Sequence, residues 1–450
     1  MNMERTLIKD LVEHIGKEVL ISGWVDVARN QGKMAFFDFR DRSGKAQGVV
    51  FGKPEVLEVA KTLRPEFVVS VIGKVNERPE KMVKEGIQNG NIELEITNIE
   101  ILAEAEALPF DLDTDLNLDT LLDNRPLTLR RERERAIFKV QATIVDAYRT
   151  FLNGEDFIEF QSPALVGGDA EGGAGVFSLD YFYDKKAYLA TSPQFYKQIL
   201  TGVYERVFTI ARVFRAEKHN TTRHLNEYIS IDAEMGFIKD HTDVMAVETE
   251  LLRAICTRLT ETSPEEFRIL GAEIPTIPDE IPRLKLREAQ EIIFKETGTD
   301  KRAEPDLEPE DERWLCEWSK QEYDSDFIFI THYPVGKRPF YTYEDENDPG
   351  YTKSFDLLFR GVEITTGGQR RNDYQSLRNG AKEKGLDPDA FAFYMQTFKY
   401  GMPPHGGWGM GLERLTQKFL GLSNVKEATL FPRDMNRIDT LLSIETSSKD

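Results

Sequence analysis

VFRAEKHNTTRHLNEYISIDAEMGF, residues 213 to 237, is the stretch on which the reading of this chain turns. Two apolar, strand-like flanks enclose a polar hairpin carrying Arg215, Glu217, His219, Arg223, His224 and Glu227. Such a hairpin gathers cations and carboxylates at one loop, which suits a polyanionic ligand accompanied by an amine or a hydroxyl. Read alone, the same pattern also describes a solvated charged hairpin, so its neighbours have to discriminate.

Three other segments share this mixed character. SFDLLFRGVEITTGGQRRNDY (354 to 374) places Asp356 and Glu363 on strand-like runs, followed by Thr366, Gly367, Gly368, Gln369 and Arg370. Two acids and a hydroxyl are hard oxygen ligands of the kind that Mg²⁺ bridging phosphates prefers, although paired acids on strands can equally be surface charge. YGMPPHGGWGMGLERLTQKFLGL (400 to 422) has glycine at 401, 406, 407, 409 and 411 and then a helix whose Leu412, Leu415 and Phe419 face inward. Arg414 lies off that apolar stripe, so this helix start fits either a nucleotide or tight backbone packing. YLATSPQFYKQIL (188 to 200) predicts a helix begun by Ser192 and Pro193, with Gln194 and Lys197 on one face and Gln198 beside them. A solvated lysine is the plain alternative. The sequence contains no GxxxxGK[ST] loop, no strand-borne GxGxxG and no HExxH, so any ATP chemistry needs a different scaffold.

The region before these motifs differs in pattern. VLISGWV (19 to 25), MAFFDFRD (34 to 41), AQGVVF (46 to 51), FVVSVIGKV (67 to 75) and IELEITNIEIL (92 to 102) are β-rich, with a helical run at 53 to 64 between the third and fourth. Five strands with a helix after the third match the OB-fold plan, which commonly holds single-stranded nucleic acid but can also serve packing alone. We therefore expect an α+β protein: a barrel over 1 to 104, a hinge over 105 to 135, and a body over 136 to 450 with a surface insertion near 264 to 315.

The 450 residues are 40% hydrophobic and 30% charged, with a formal charge of −20. No run approaches the ~20 apolar residues of a membrane span, and the N-terminal stretch lacks a signal-peptide core. Two cysteines exclude a disulfide framework or a Cys-based zinc cluster. These features predict a cytoplasmic protein without a membrane partner. The charge argues against nucleic acid, but it is unevenly spread: residues 1 to 104 carry 15 Lys and Arg against 17 Asp and Glu, leaving −18 for the remainder.

In this order the segments resemble the three signature motifs of class II aminoacyl-tRNA synthetases: FIEFQSP with Pro163 resembles the first, FRAE with the TTRH loop the second, and GMGLER the third. The barrel and the DNRPLTLRR hinge are similar to the aspartate, asparagine and lysine subgroup. SPQFYKQ, GGDAEGGAGVF, NTTRHLNE and PPHGGWGMGLERL look most like the aspartyl enzymes of archaeal and eukaryotic type. The resemblance implies ATP and Mg²⁺, L-aspartate and tRNA(Asp) as ligands, with tRNA(Asn) open as a second acceptor, and a homodimer.

Carried over residue by residue, it puts Lys197 and Arg370 on the aspartate side chain, and Gln194, Asp232 and Glu171 around the α-amino group. It puts Arg215 on the α-phosphate with Glu217 orienting the reactants, Arg223 and His224 near the γ-phosphate, and Leu225 and Gly411 among the ATP-binding residues. Tyr228 and Arg414 fall against the adenine, and Asp356, Glu363 and Thr366 at the metal. Thr366 stands where serine is usual, Ala170 where a small hydroxyl residue is, and Asn372 where histidine is common. Phe36, Gln47 and Glu93 match anticodon contacts; strand alternation leaves Phe37 or Phe39 as the alternative stacking ring. A basic track for tRNA is expected around Arg29, Lys33, Arg125 and Arg130. The rival readings are an asparaginyl enzyme, a tRNA-independent asparagine-forming paralogue, and a non-catalytic RNA-binding homologue.

Overall fold

Alternation of apolar and polar residues builds the N-terminal unit. Strands Glu18–Asn30, Met34–Asp41, Gly44–Phe51, Val68–Glu77 and Ile92–Ala103 close into a barrel in the order first, second, third, fifth, fourth. Helix Pro54–Thr62 connects the third strand to the fourth. Phe37 and Phe39 stack at 5.6 Å between ring centroids inside the barrel and are fully buried. The period of two therefore turns Phe36 to the outer face, where it is partly exposed, and removes Phe37 and Phe39 as stacking candidates. Gln47 accepts from Arg78 Nη2 at 2.7 Å, which orients its amide, and Glu93 is partly exposed opposite Asn76.

The computed structural model describes residues 3–168, 175–218 and 221–442, and the chain divides into the units Met1–Thr114 and Asp115–Asp450. An eight-stranded sheet organises the second. From edge to edge its strands are Arg283–Lys285, Phe327–Thr331, Ser354–Phe359, Val362–Gln369, His405–Gly411, Glu227–Gly236, Arg206–Phe214 and Ile158–Glu159. The six central strands are antiparallel, with a parallel strand at each edge. A small sheet of Leu165–Val166, Lys185–Leu189 and Ser178–Tyr181 lies apart from it.

Ile231, Ala233, Phe355, Leu357, Trp408 and Met410 alternate onto one face of the large sheet, in one core with Ile137, Val140, Ile144 and Leu152 of helix Glu132–Gly154 and Leu251, Leu252 and Ile255 of helix His241–Thr262. The intervening residues necessarily share the other face, and they are polar.

The stretch 264 to 315 contributes more than a surface excursion. Its strand Arg283–Lys285 forms one sheet edge, and Leu286, Ala289, Ile293, Leu315 and Cys316 of its helices pack with Ile328, Ile330 and Leu358. In the hinge, Leu118–Asp123 and Arg125–Thr128 are short helices. Arg125 departs from the expected basic track: it is 2% exposed, and its Nη2 donates to the Glu427 and Thr429 carbonyls at 3.0 and 2.9 Å. A guanidinium spent on buried carbonyls holds chain to chain and is withdrawn from any RNA. Arg29 pairs with Asp38 at 2.8 Å, whereas Lys33 and Arg130 are exposed. Both cysteines are free, and burial pushes each thiol up to about 12. No helix among the described residues is long and apolar enough to cross a membrane.

One buried acid lies behind the sheet. Glu248 on helix His241–Thr262 is fully buried with neither carboxyl oxygen hydrogen-bonded among the described residues, and burial pushes it up to about 8. Folded chains then hold a proton that unfolded chains release above about pH 4.5, so stability falls from there to pH 8 and levels off beyond. At about 1.4 kcal/mol per pH unit, Glu248→Gln should gain on the parent by roughly 4 kcal/mol between pH 4.5 and pH 8. Urea unfolding of both forms across that range measures it, and a pH-independent difference would refute the assignment.

Candidate active site

Cross-strand register assembles the polar face. Asp232 lies opposite Gly409, Gly409 opposite Thr366, and Thr366 opposite Asp356, so four strands present one row of functional groups. Two residues along, Glu234, Gly407, Gly368 and Ser354 form a second row. Gly407 is required by space, since a Cβ there would stand 2.1 Å from the Ala233 carbonyl oxygen and 2.3 Å from Glu234 Oε2, and a Cβ on Gly409 would press on Asp232 Oδ2 at 3.1 Å. Strand His405–Gly411 is thus a bare floor over which neighbouring carboxylates lie.

Four charges fill one end of this face. Lys197, 1% exposed on helix Gln194–Tyr204, donates to Asp232 Oδ2 at 2.6 Å and to the Trp408 carbonyl at 2.8 Å, with Glu234 Oε2 at 3.7 Å. Arg370 donates to Glu234 through Nε at 2.9 Å and Nη2 at 3.3 Å, and to the Gly407 carbonyl at 2.9 Å. Burial opposes charge on Glu234, yet Arg370 and Lys197 outweigh it and hold its carboxyl below the usual range. Gln194 donates to Gln198, and Tyr394 donates to the same Gln198 oxygen at 3.0 Å. His405 Nδ1 must donate to the Pro403 carbonyl, so its Nε2 accepts from Gln198 at 2.9 Å. Burial, pulling His405 down to about 4, keeps that ring neutral.

A cavity of about 390 Å³ opens from this end. Its wall brings together Gln194, Lys197, Arg215, Glu217, Arg223, His224, Leu225, Tyr228, Asp232, Glu363, Thr366, Arg370, Gly411 and Arg414. Arg215 stands 5.7 Å from the centre of the Tyr228 ring and 3.9 Å from Glu217, and His224 Nε2 is 3.9 Å from Glu217. Arg414 Nη1 donates to the Glu363 carbonyl at 3.1 Å from a helix whose Glu413 binds the Ile229 amide. Burial pushes Glu413 up to about 8. Glu171 lies outside the described residues.

The proposed metal ligands are partly displaced from expectation. The Thr366 hydroxyl donates to Asp356 at 2.8 Å and lies 3.2 Å from Glu363, so the residue in the serine position joins both acids. Asp356, however, stands behind the wall, bound by Arg338 at 2.7 Å, a cation that stacks on Tyr333 at 3.9 Å. Glu363 is raised above its ordinary value by burial and by Asp356. Two carboxylates that resist sharing negative charge, with a hydroxyl between them, fit a divalent cation whose other ligands come from substrate phosphates. Among the described residues no three His, Cys, Asp or Glu side chains form a self-sufficient metal cage. Asn372 donates to the Met402 carbonyl at 3.3 Å.

Sequence reading missed several participants. Glu234 was accessible to it, being two residues beyond Asp232 on one strand and therefore on the same face. Arg338 and Glu312 had no local signal. Glu312 reaches the site from helix Pro309–Tyr323, accepting from Arg223 Nη2 at 2.6 and 2.9 Å and from the Glu363 amide at 2.9 Å.

Known proteins agree with this architecture. Residues 117–435 match the family model for class II tRNA synthetases (D, K and N), and 19–102 match the OB-fold nucleic acid binding domain. The chain is 46% identical to the aspartate–tRNA(Asp/Asn) ligase of Thermus thermophilus, covering 96% of this chain and 99% of that protein. It is 40% identical to the aspartate–tRNA(Asp) ligase of Thermoplasma acidophilum, over 97% of this chain and all of the relative. The asparaginyl-tRNA synthetase of Pyrococcus horikoshii, solved with asparaginyl-adenylate, superposes with a TM-score of 0.89 at 33% identity, covering 97% of this chain and 100% of that one. With the sheet, the glycine floor and the barrel all in place, the chain belongs to the class II tRNA synthetases of the aspartate, lysine and asparagine group.

Proposed function

We propose that this chain is an aspartate–tRNA ligase that activates L-aspartate with ATP and passes it to the 3′ end of tRNA(Asp). The observation that carries the reading is the buried pair Lys197 and Arg370 beside Asp232 on the glycine floor. A substrate side-chain carboxylate satisfies both cations, and its ammonium pairs with Asp232, Gln194 and Glu171. An asparagine amide would leave Lys197 facing a donor or a weaker acceptor, a loss that a buried site does not forgive.

The aspartate α-carboxylate oxygen attacks the α-phosphorus of ATP; the bond to the β-phosphate oxygen breaks and pyrophosphate leaves. Arg215 stabilises charge on the α-phosphate, Glu217 orients the reactants, Arg223 and His224 hold the γ-phosphate end, and Leu225 and Gly411 line the same cavity. Tyr228 and Arg414 hold the adenine. Binding both substrates in one cavity removes much of the entropic barrier. Glu363 and Thr366 on the wall, with Asp356 joined to them through the Thr366 hydroxyl, would hold Mg²⁺, which would supply charge neutralisation at the phosphates. The terminal ribose hydroxyl of tRNA then attacks the aspartyl carbonyl and AMP leaves. Outer-face Phe36, with Gln47 and Glu93, reads the anticodon by stacking and base-edge hydrogen bonds. A homodimer is supported by the first-motif segment and the exposed Ile158 and Leu165 beside it, and the proposed reaction belongs to the cytoplasm.

Arg215→Ala is expected to abolish aspartate-dependent pyrophosphate exchange; near-normal exchange would refute the role of Arg215. Exchange should prefer aspartate over asparagine, and the opposite preference would favour the asparaginyl reading. Aspartylation of purified tRNA(Asp) and tRNA(Asn) decides acceptor breadth: activity on both defines a non-discriminating enzyme, and failure on both defeats the proposal. Glu234→Gln leaves two buried cations with one anion and should destabilise the second unit by about 3 kcal/mol in urea unfolding.

A further inference from the structure

Glu312 belongs to none of the sequence motifs, yet it is 7% exposed and touches two of them at once. It lies in the first turn of helix Pro309–Tyr323, from the stretch 264 to 315. Its Oε2 accepts from Arg223 Nη2 at 2.6 Å and from the Glu363 amide at 2.9 Å, and its Oε1 accepts from the same Nη2 at 2.9 Å. Arg223 sits on a loop and Glu363 on a sheet strand, so one carboxylate ties the mobile end of a long cation to the strand bearing a proposed metal ligand.

The geometry leaves Arg223 useful. Only Nη2 is engaged; among the described residues Nε and Nη1 donate to no protein group, and Arg223 lines the cavity. The same arrangement occurs twice more. Glu234 holds Arg370 and Asp356 holds Arg338, and in each case the cation lines the cavity while the acid stands behind it. A long arginine side chain loses rotamer freedom when it binds, and a fixed carboxylate removes that cost before the ligand arrives.

We propose that Glu312 is a positioning residue for the polyphosphate of ATP: it fixes the Arg223 guanidinium in register with the Glu363 strand, so that the two free edges of Arg223 meet the terminal phosphates. This rests on the assignment of Arg223 to the phosphate end given above. The stretch 264 to 315 then supplies part of the ATP site rather than only a sheet edge.

The test separates triphosphate recognition from general damage by comparing two ligands of the full-length protein. ATP has the terminal phosphates, and 5′-O-(aspartylsulfamoyl)adenosine, a stable mimic of aspartyl-adenylate, lacks them. Titration calorimetry on Glu312→Ala should show ATP binding weakened about tenfold with the adenylate mimic changed by less than about twofold, as expected for loss of one charge-assisted anchor. Glu312→Gln, which keeps an acceptor for the Glu363 amide, should recover part of the ATP affinity and serves where the alanine form does not fold. In Arg223→Ala, adding Glu312→Ala should weaken ATP no further. Equal weakening of both ligands, no weakening of either, or additive effects in the double variant would overturn the inference. A parent protein that binds neither ligand would refute the ligase reading itself, and this inference with it.

Discussion

Two cations and two anions shut away from water hold the site together. Lys197, Asp232, Glu234 and Arg370 are all at most 5% exposed, and an isolated charge at such depth would cost several kcal/mol. The group is tolerable because it sums to zero and because the Trp408 and Gly407 carbonyls take the remaining donors. That requirement reaches outward. The carboxylates need room above the neighbouring strand, which Gly407 and Gly409 provide, and the floor strand presents its carbonyls to Lys197 of helix Gln194–Tyr204 and to Arg370. Neutral His405, fixed by Pro403, completes the support through Gln198.

Such a pocket is preset for a zwitterion with an extra acid. In the proposed aspartate site an incoming ammonium would share Asp232 and an incoming carboxylate would share Lys197 and Arg370, while Glu234 remains behind as the partner of Arg370. Glu234 stands between the two cations, 2.9 Å from Arg370 Nε and 3.7 Å from Lys197 Nζ. With it they would form the two-point receptor of the proposed reading, and selectivity would follow from what each point refuses to leave unpaired.

Much of this was legible in the sequence, for identifiable reasons. The barrel strands followed period-two patterning closely, and the helix from Gln194 carried its face in the spacing of Gln194 and Lys197. What could not be read was contact between distant segments. Whether Arg125 was an RNA contact or a buried tether depended on the carbonyls of Glu427 and Thr429, some 300 residues away. The stretch 264 to 315 looked like an excursion because its acids are dense; the apolar positions of Leu286, Ala289 and Ile293 matter only once the strand Phe327–Thr331 lies beneath them. Period alone could place Phe36 opposite Phe37 and Phe39, but only barrel closure decided which face was inside.

The charge of −20 also changes meaning once it is located. Among the described residues seven cations line the cavity, Lys197, Arg215, Arg223, Lys337, Arg338, Arg370 and Arg414, against the acids Glu217, Asp232, Glu363 and Glu413. Glu413 is pushed up to about 8 and is largely protonated at neutral pH, as is Glu248 behind the sheet, so the formal count overstates the negative field of the body. Other acids, Glu234, Glu312 and Asp356, stand one layer back, where each holds a wall cation in place. An acidic protein can therefore present a cationic interior: its carboxylates set the positions of the arginines, and the arginines set the potential met by a polyanion entering the cavity.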